Sequence, residues 1–271
     1  YNIFCHQNKT KFKYSKNFKV IKIDIFKKKV LQNFLEKEKI NLILNLASLT
    51  NVEKCQKNKK LCKKIHILLT KKIFDASINT NVKLIHISTD HLFDGKKKGA
   101  YSEEDLIKPV NNYGTSKFKG EKNILKKKGS LVLRTNFFGK NYKNKNSFSD
   151  KIVENLKKQK KVYLWDDIYF SPLHVKVLAD IIYFLIKKKH SGILNLSSEK
   201  INKKELGEKI AKILKLNKKL IVGNTFNKKN FVTRPKNMSL SNKKLLSIYP
   251  VLKKKTTLNH QLNLIYKDYN G

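Results

Sequence analysis

Three side chains between residues 89 and 117 have the chemistry that reduction of a carbonyl group needs. Thr89 offers a hydroxyl, Tyr113 a phenol and Lys117 an ammonium group. Tyr113 and Lys117 are four positions apart, so both project from one face if the segment is helical. A free phenol has a pKa of about 10, and a nearby ammonium lowers that pKa by favouring the phenolate. We therefore expect Tyr113 to act in general acid–base catalysis, with its pKa lowered by Lys117.

Spacing alone is weak evidence here, because lysine is so common in this chain. Only two of the 61 basic residues are arginine, and with eleven tyrosines roughly 2.4 Tyr-x-x-x-Lys pairs are expected by chance. Three such pairs occur, and the other two are Tyr183/Lys187 and Tyr249/Lys253. Neither of these follows a strand that ends in Ser-Thr-Asp, so the surroundings of Tyr113 distinguish it.

Those surroundings indicate the edge of a parallel sheet. The apolar run 82–87 predicts a buried strand, and Thr89 falls just past its carboxyl end, where α/β sheets bind their ligands. Asn111 or Asn112 can cap a helix whose first turn contains Tyr113. The hydroxyl and the phenol are therefore expected to meet at this edge.

Strands alternate with helices along the chain, which predicts an α/β fold with a doubly wound, Rossmann-type parallel sheet. We predict strands at 1–6, 18–23, 42–46, 82–87, 130–135, 162–165 and 193–196. We predict helices at 26–39, 52–78, 112–127, 147–158, 174–189, 203–215 and 241–247. Residues 1–145, with parts of 160–198, are expected to form a nucleotide-binding body, and 146–271 mainly a smaller α+β substrate lobe.

Motifs spread over almost the whole chain resemble one known family. They are Ser88-Thr89-Asp90, Phe93-Asp94-Gly95, Tyr101-x-Glu103, Pro109-x-Asn111-x-Tyr113-Gly114-x-Ser116-Lys117, Gly120-Glu121 and the segments 45–53, 134–139 and 234–240. Together they are similar to the extended short-chain dehydrogenases, in particular to the dTDP-4-dehydrorhamnose reductase-like (RmlD-like) sugar-nucleotide reductases. The resemblance implies NAD(P)H-dependent reduction of a nucleotide-linked 4-keto-6-deoxy sugar, a step in making cell-surface polysaccharide precursors.

The resemblance also implies roles for individual residues. Tyr113 would give a proton to the developing alkoxide, Thr89 would hydrogen-bond the same oxygen, and Lys117 would also hold the ribose of the cofactor. Further cofactor contacts are implied for Tyr113 itself and for Asp24, Ile25, Ala47, Ser48 and Leu49. Substrate contacts are implied for Thr89, Asp90, Asn136, Phe137 and Arg234.

Two departures from the family pattern leave the substrate and the cofactor open. Asn136-Phe137 stands where the reductases typically have Ser-Trp, so the sugar is undetermined. No acidic residue ends the strand at 1–6, and Lys9 and Lys11 follow it, which favours NADPH over NADH without excluding NADH. Arg234 could hold a diphosphate through its planar guanidinium.

One expected element is missing from the start of the chain. The family begins with a strand and a Gly-rich turn that hold the cofactor pyrophosphate, but residues 1–30 contain no glycine. We therefore expect a chain truncated at its N-terminus, which enters the fold at the second strand. A sheet without its central first strand would have two unpaired edges.

The net charge of +41 and the pI near 10.1 would ordinarily suggest that the protein binds nucleic acid or an anionic membrane. The excess is lysine spread over every segment, whereas nucleic-acid readers rely on arginine for bidentate contacts. We expect solvated faces, non-specific polyanion binding at low salt and no specific nucleic acid. A nucleic-acid-binding protein stays an alternative, marked by salt-sensitive binding without cofactor affinity.

The three cysteines, Cys5, Cys55 and Cys62, are odd in number and lack Cys-x-x-Cys spacing, so neither a disulfide framework nor a metal site is indicated. No segment approaches the roughly 20 apolar residues of a membrane span. We expect a cytoplasmic protein, and a homodimer is compatible with the resemblance.

Two alternatives share the fold. A sugar-nucleotide epimerase or dehydratase could use the same tyrosine and lysine, although dehydratases usually have Glu where His91 follows Asp90. A non-catalytic NADP-binding protein, like the regulatory subunit of methionine adenosyltransferase, would bind cofactor without turning over a keto sugar.

Overall fold

The computed structural model describes residues 2–6, 18–141, 147–227 and 229–271. The strands in this part are β1 (Phe4–His6), β2 (Lys19–Ile21), β3 (Leu42–Asn45), β4 (Lys83–Ile87), β5 (Leu131–Thr135), β6 (Phe137–Phe138), β7 (Val162–Trp165), β8 (Tyr169–Phe170), β9 (Leu173–His174), β10 (Gly192–Leu196), β11 (Ile201–Asn202) and β12 (Ile221–Asn224). Lys9 and Lys11 lie outside the described residues.

The α-helices in the same part are α1 (Lys28–Lys37), α2 (Val52–Lys57), α3 (Lys59–Lys63), α4 (Leu69–Ser77), α5 (Asn112–Leu125), α6 (Phe148–Lys157), α7 (Val175–Lys187), α8 (Lys203–Ile213), α9 (Lys243–Ile248), α10 (Lys253–Thr256) and α11 (Leu258–Asn270). A π-helical turn over Lys64–Leu68 joins α3 to α4. None of the described helices is long and apolar enough to cross a lipid bilayer.

The main sheet is parallel and has the order β10-β5-β4-β3, which confirms the predicted α/β class. Alternate residues of its strands face two different apolar clusters. Ile85 and Leu133 face α7 and α9, whereas Leu84 and Val132 face α1, α4 and α5. Helices therefore cover both faces of the sheet, as in a doubly wound fold.

A third apolar cluster is built from α6, α8 and α11 together with β7 and β12. Its central residues include Ile152, Leu206 and Ile265, each almost fully buried. The predicted division between a nucleotide-binding body and a substrate lobe stays a prediction.

The opening strands do not join the main sheet in the part that the structure describes. There β1 pairs in parallel with β2, and β3 pairs with β4 and with no second strand. Both pairs therefore present an unpaired strand edge within these residues.

The predicted helix over 52–78 was wrong in its continuity. The Asn58 side chain accepts a hydrogen bond from the Leu61 N–H and starts α3 as a separate helix, and the π-helical turn then interrupts the run again. An asparagine side chain competes with the helix for backbone hydrogen bonds in this way. Asparagine is therefore favoured at the start of a helix and disfavoured in its interior. Apolar periodicity does not report such interruptions.

Helix α11 was not predicted from the sequence, because its buried face is partly polar. Gln261 and Asp268 are buried together with Leu262 and Ile265. Asp268 accepts hydrogen bonds from His174 at 3.0 Å and from Lys176 at 2.7 Å, which compensates its burial. The short strands β6, β8, β9, β11 and β12 also lacked a signal in the sequence.

Among the described residues, four helices end on a residue in the left-handed region that is not glycine. These residues are Lys39, Gln159, Lys189 and Lys215, with φ between 48° and 55°. The residue after each one donates its N–H to a carbonyl five positions earlier, such as His190 to Leu185 at 3.1 Å. This is the Schellman ending, in which glycine is usual because a Cβ is strained there.

We predict that Lys189→Gly raises the free energy of unfolding by about 1 kcal/mol, because glycine removes this strain. Lys188→Gly is the matched control, since Lys188 has right-handed helical angles and should gain nothing. Urea denaturation of the two variants measures the difference. Equal or lower stability of Lys189→Gly would contradict the argument.

A buried ion pair attaches α5 to β5. The Arg134 guanidinium donates to both carboxylate oxygens of Glu121, at 2.9 Å from Nη2 and 3.2 Å from Nε, and Nη1 donates to the Glu103 carbonyl at 3.3 Å. Both charged side chains are almost fully buried. Neither charge can be removed alone without leaving the other uncompensated.

Glu121→Gln is therefore expected to lower the free energy of unfolding by about 3 kcal/mol. Glu208→Gln is the control, because the ion pair of Glu208 with Lys204 is exposed and should contribute under about 1 kcal/mol. A double variant, Glu121→Leu with Arg134→Met, should recover part of the loss. Chemical denaturation checks all three, and a Glu121→Gln protein as stable as its parent would refute the assignment.

Candidate active site

Helix α5 begins at the carboxyl end of β4 and is held there by a cap and a close contact. The Asn111 side chain accepts a hydrogen bond from the Gly114 N–H at 2.9 Å and donates one to the Thr233 carbonyl at 3.0 Å. A Cβ on Gly114 would lie 2.1 Å from the His91 carbonyl oxygen, so glycine alone permits this approach. The first turn, with Tyr113, is therefore fixed against the loop after β4.

The buried ring of Tyr113 lies between two imidazoles. His66 and His91 meet it edge to face, with centroids 5.6 and 5.3 Å away. Burial raises the pKa of the Tyr113 phenol to about 12, although hydrogen bonding with Thr89 and Ser48 opposes part of the increase. The predicted lowering of this pKa is therefore wrong in its net direction, because burial outweighs every interaction that favours the phenolate.

The Lys117 ammonium lies at the carboxyl end of β4. Nζ donates to the Ile87 carbonyl at 2.5 Å and lies 3.4 Å from His86 Nε2. Burial lowers the pKa of Lys117 to about 8, although the nearby Glu121 charge favours the protonated form. The ammonium is thus protonated at neutral pH and close to losing its proton above it.

Thr89, Asp90 and Asn136 form a hydrogen-bonded group beside the phenol. The Thr89 hydroxyl donates to Asp90 Oδ1 at 3.2 Å, and the Asn136 amide donates to Asp90 Oδ2 at 2.8 Å. Burial raises the pKa of Asp90 to about 6, even though both hydrogen bonds stabilise the carboxylate. The group is a compact set of polar atoms at the sheet edge.

His66 is a member of this site that sequence reasoning missed. Its Nε2 accepts the Leu49 N–H at 3.0 Å and lies 3.1 Å from the Ser48 hydroxyl. Its Nδ1 lies 2.7 Å from the Ser116 hydroxyl, which donates to the Tyr113 carbonyl at 2.9 Å. Because Nε2 accepts, the neutral ring must carry its proton on Nδ1.

Burial, with a contribution from the Lys117 charge, lowers the pKa of His66 to about 3, so the ring is neutral at physiological pH. It therefore connects the loop after β3 to α5 without carrying charge. No motif or spacing marked it in the sequence, because its partners are distant along the chain.

Cys55 and Cys62 lie beside His66, a juxtaposition that their spacing did not indicate. The three donor atoms lie within 4.8 Å of one another, and all three residues are buried. Burial raises the pKa of the Cys55 thiol, and both ring nitrogens of His66 already have hydrogen-bond partners. A metal ion there would have to displace one of those bonds and deprotonate a thiol that burial keeps neutral.

The residues implied for the cofactor lie in two places, on the loop after β3 and beside a basic cavity. Ser48 and Leu49 are on the loop after β3, and exposed Ala47 donates its N–H to Asn45 at 3.1 Å. Asp24 lines a cavity of about 450 Å³ with Phe26 and the basic side chains of Lys60, Lys63 and Lys64. Such a basic cavity beside strand ends suits the anionic adenosine end of a dinucleotide.

Two residues of the cofactor set also have structural roles. Asp24 accepts a hydrogen bond from the Phe26 N–H at 3.0 Å, which forms a turn before α1. Ile25 packs against the apolar cluster under α1 and α4.

The residues implied for the substrate differ in their surroundings. Asn136 contacts Asp90, whereas the neighbouring Phe137 is 49% exposed. Arg234 forms an ion pair with Glu53 at 2.6 Å and lies over the Trp165 ring, 5.0 Å from its centroid. The structure thus joins Asp90, Asn136, Thr89 and Tyr113 directly and leaves Arg234 on the adjoining surface.

The chain is similar in sequence to curated sugar-nucleotide reductases. A dTDP-4-dehydrorhamnose reductase of Aggregatibacter actinomycetemcomitans is 32% identical over 125 residues, which cover 44% of this chain and 42% of that protein. The chain therefore spans less than half the length of this curated relative.

Solved structures match over more of the chain. A hypothetical dTDP-4-dehydrorhamnose reductase from Sulfolobus tokodaii has 29% identity and a TM-score of 0.80, covering 92% of this chain and 86% of that one. A dTDP-4-dehydrorhamnose reductase from Bacillus anthracis in complex with NADP has 21% identity and a TM-score of 0.81, covering 94% and 90%, and so shows the fold. The profile of the RmlD substrate binding domain matches residues 5–269, and the chain belongs to this family.

Proposed function

We propose that this protein reduces the 4-keto group of a nucleotide-linked 6-deoxy sugar, using NADPH or NADH, in the synthesis of a surface polysaccharide precursor. The observation that carries the proposal is the hydrogen bond between the Tyr113 phenol and the Thr89 hydroxyl. The buried Lys117 lies one helical turn after Tyr113 and binds the end of β4. The reductases named among the relatives support the same reaction class. We also propose a cytoplasmic location and a homodimer; the three free thiols suit the former.

The high pKa of Tyr113 suits a proton donor. A phenol with a pKa of about 12 keeps its proton at neutral pH until a strong base forms next to it. The oxygen of a ketone becomes such a base, an alkoxide, as its carbon is reduced. Tyr113 then releases its proton to that oxygen, and the Thr89 hydroxyl helps to hold the oxygen in place.

Lys117 and the loop after β3 support this transfer. The Lys117 ammonium stabilises the phenolate that remains, which is charge that would otherwise be costly in a buried site. Ser48 and Leu49, held by His66, would line the nicotinamide side, and Asp24 with its neighbouring lysines the adenosine side. A dinucleotide held by these residues would supply the hydride.

The arrangement favours reduction over dehydration. Elimination of water from a sugar needs an additional acid beside the tyrosine. His91 occupies that position. Burial lowers the pKa of His91 to about 3, so its ring is neutral at physiological pH and is a poor proton donor. The matches to dehydratase and epimerase structures, at 15% to 19% identity, support only the shared fold.

Tyr113→Phe should lower kcat for NAD(P)H-dependent reduction of a dTDP-linked 4-keto sugar at least about 100-fold, because the proton donor is lost. Affinity for the dinucleotide, measured by fluorescence titration, should be unchanged. Tyr183→Phe is the matched control, since that exposed tyrosine also stands four residues before a lysine. Turnover by Tyr113→Phe at the parental rate would remove the phenol from the mechanism.

The pKa of Lys117 also predicts a pH dependence. Because this pKa is about 8, the ammonium loses its proton as the pH rises through that value, and kcat at saturating substrate should fall there. Lys117→Met should have a low kcat without this fall, and it serves as the reference. A parental kcat that stays constant from about pH 7 to about pH 10 would contradict the role of the charge.

A further inference from the structure

We propose that His86 is a positioning residue of the active site, whose Nε2–H group faces the Lys117 side chain and favours the neutral amine over the ammonium. The inference deepens the proposed function, on which it rests for the part that Lys117 plays in turnover. The hydrogen bonds that join His86 to Asn45 and to the loop after β3 carry it. No motif in the sequence indicated His86, which lies within the apolar run of β4.

His86 lies between the strand that precedes the loop after β3 and the lysine of α5. It pairs with Asn45 across the β3–β4 ladder, and both side chains are almost fully buried. His86 Nδ1 lies 3.1 Å from Asn45 Nδ2, and His86 Nε2 lies 3.4 Å from Lys117 Nζ. The two nitrogens of one ring therefore contact an amide on one side and an amine on the other.

The orientation of the Asn45 amide determines which ring nitrogen of His86 carries the proton. Asn45 Oδ1 accepts the Ala47 N–H at 3.1 Å, so the Asn45 NH2 group faces His86 Nδ1 and donates to it. The reversed amide would set its NH2 group against the Ala47 N–H, with two donors facing each other. Because Nδ1 accepts, the neutral ring carries its proton on Nε2.

The Nε2–H group is thus directed at Lys117. The ring is neutral, because burial first, and then the Lys117 and His66 charges, hold the pKa of His86 well below its ordinary value. An ammonium has three donors and no acceptor, so it cannot accept the Nε2–H, whereas a neutral amine has a lone pair that can. The positive end of the N–H dipole also repels the ammonium. Both effects favour loss of the Lys117 proton.

The other titratable groups around Lys117 do not act in this direction. Glu121 on α5 and Cys55 on α2 both favour the ammonium. His66, on the π-helical turn, is neutral at physiological pH, and Tyr113, one turn earlier on α5, keeps its proton. His86 is therefore the neighbour in this set that opposes the charge, and its contribution can be isolated by substitution.

The test removes the Nε2–H group and measures the pH at which Lys117 loses its proton. His86→Phe keeps an aromatic ring in β4, and the titration of Lys117 should move up by at least about half a pH unit, because a donor facing the ammonium is lost. Nuclear magnetic resonance of protein with isotope-labelled lysine measures this titration without turnover, and the Lys117 signal is identified by its loss in Lys117→Met. The fall in kcat at high pH should move by the same amount.

His190→Phe is the matched control. The His190 imidazole is also partly buried and contacts the Tyr249 hydroxyl at 3.0 Å, so its loss should leave the titration of Lys117 where it is in the parent. Thermal unfolding of both variants shows whether they fold.

The tautomer of His86 is measured in the parent protein, so it decides even if His86→Phe does not fold. Nitrogen chemical shifts of isotope-labelled histidine, assigned through backbone correlations, distinguish a ring protonated on Nε2 from one protonated on Nδ1. The Nε2–H form should persist from about pH 6 to about pH 9 without titration.

Three results would overturn the proposal: an unmoved Lys117 titration in His86→Phe, an equal shift in His190→Phe, or a His86 ring protonated on Nδ1 in the parent. The proposed function fails separately. The expected shift in a protein that reduces no keto sugar would uphold the effect of His86 on Lys117 and refute the reaction, whereas reduction with an unmoved titration would refute only the role of His86.

Discussion

The hydrogen bond from the Lys117 ammonium to the Ile87 carbonyl is the interaction on which the geometry of the site depends. A buried cation is tolerated only where an acceptor is fixed beside it, and here that acceptor is the last carbonyl of β4. This bond ties α5 to the strand end, and the Glu121–Arg134 pair ties it one turn later to β5. Tyr113 can then occupy only one position relative to Thr89.

The aromatic side chains around the Tyr113 phenol carry no charge, although the protein as a whole is strongly basic. The two imidazoles that flank Tyr113 are uncharged, since burial lowers the pKa of both to about 3. Lys117 keeps its charge at neutral pH, and the nearby Glu121 carboxylate favours that charged form. At neutral pH the buried phenol therefore keeps its proton.

Local signals in the sequence predicted the elements that carry the central residues. The apolar run of β4 and the Asn111 cap lie within a few residues of Thr89 and Tyr113, so strand, helix and their meeting could be inferred. His66 could not, because its partners Ser48 and Ser116 are 18 and 50 positions away.

The lysine endings of α1, α7 and α8 show how this composition affects the backbone itself. With ten glycines in 271 residues, the chain ends these three helices on a lysine and α6 on Gln159. At about 1 kcal/mol for each left-handed residue, the combined cost is a noticeable part of the 5–15 kcal/mol that keeps a typical domain folded. A chain with glycine at these three helix ends would therefore tolerate more heat before it unfolds.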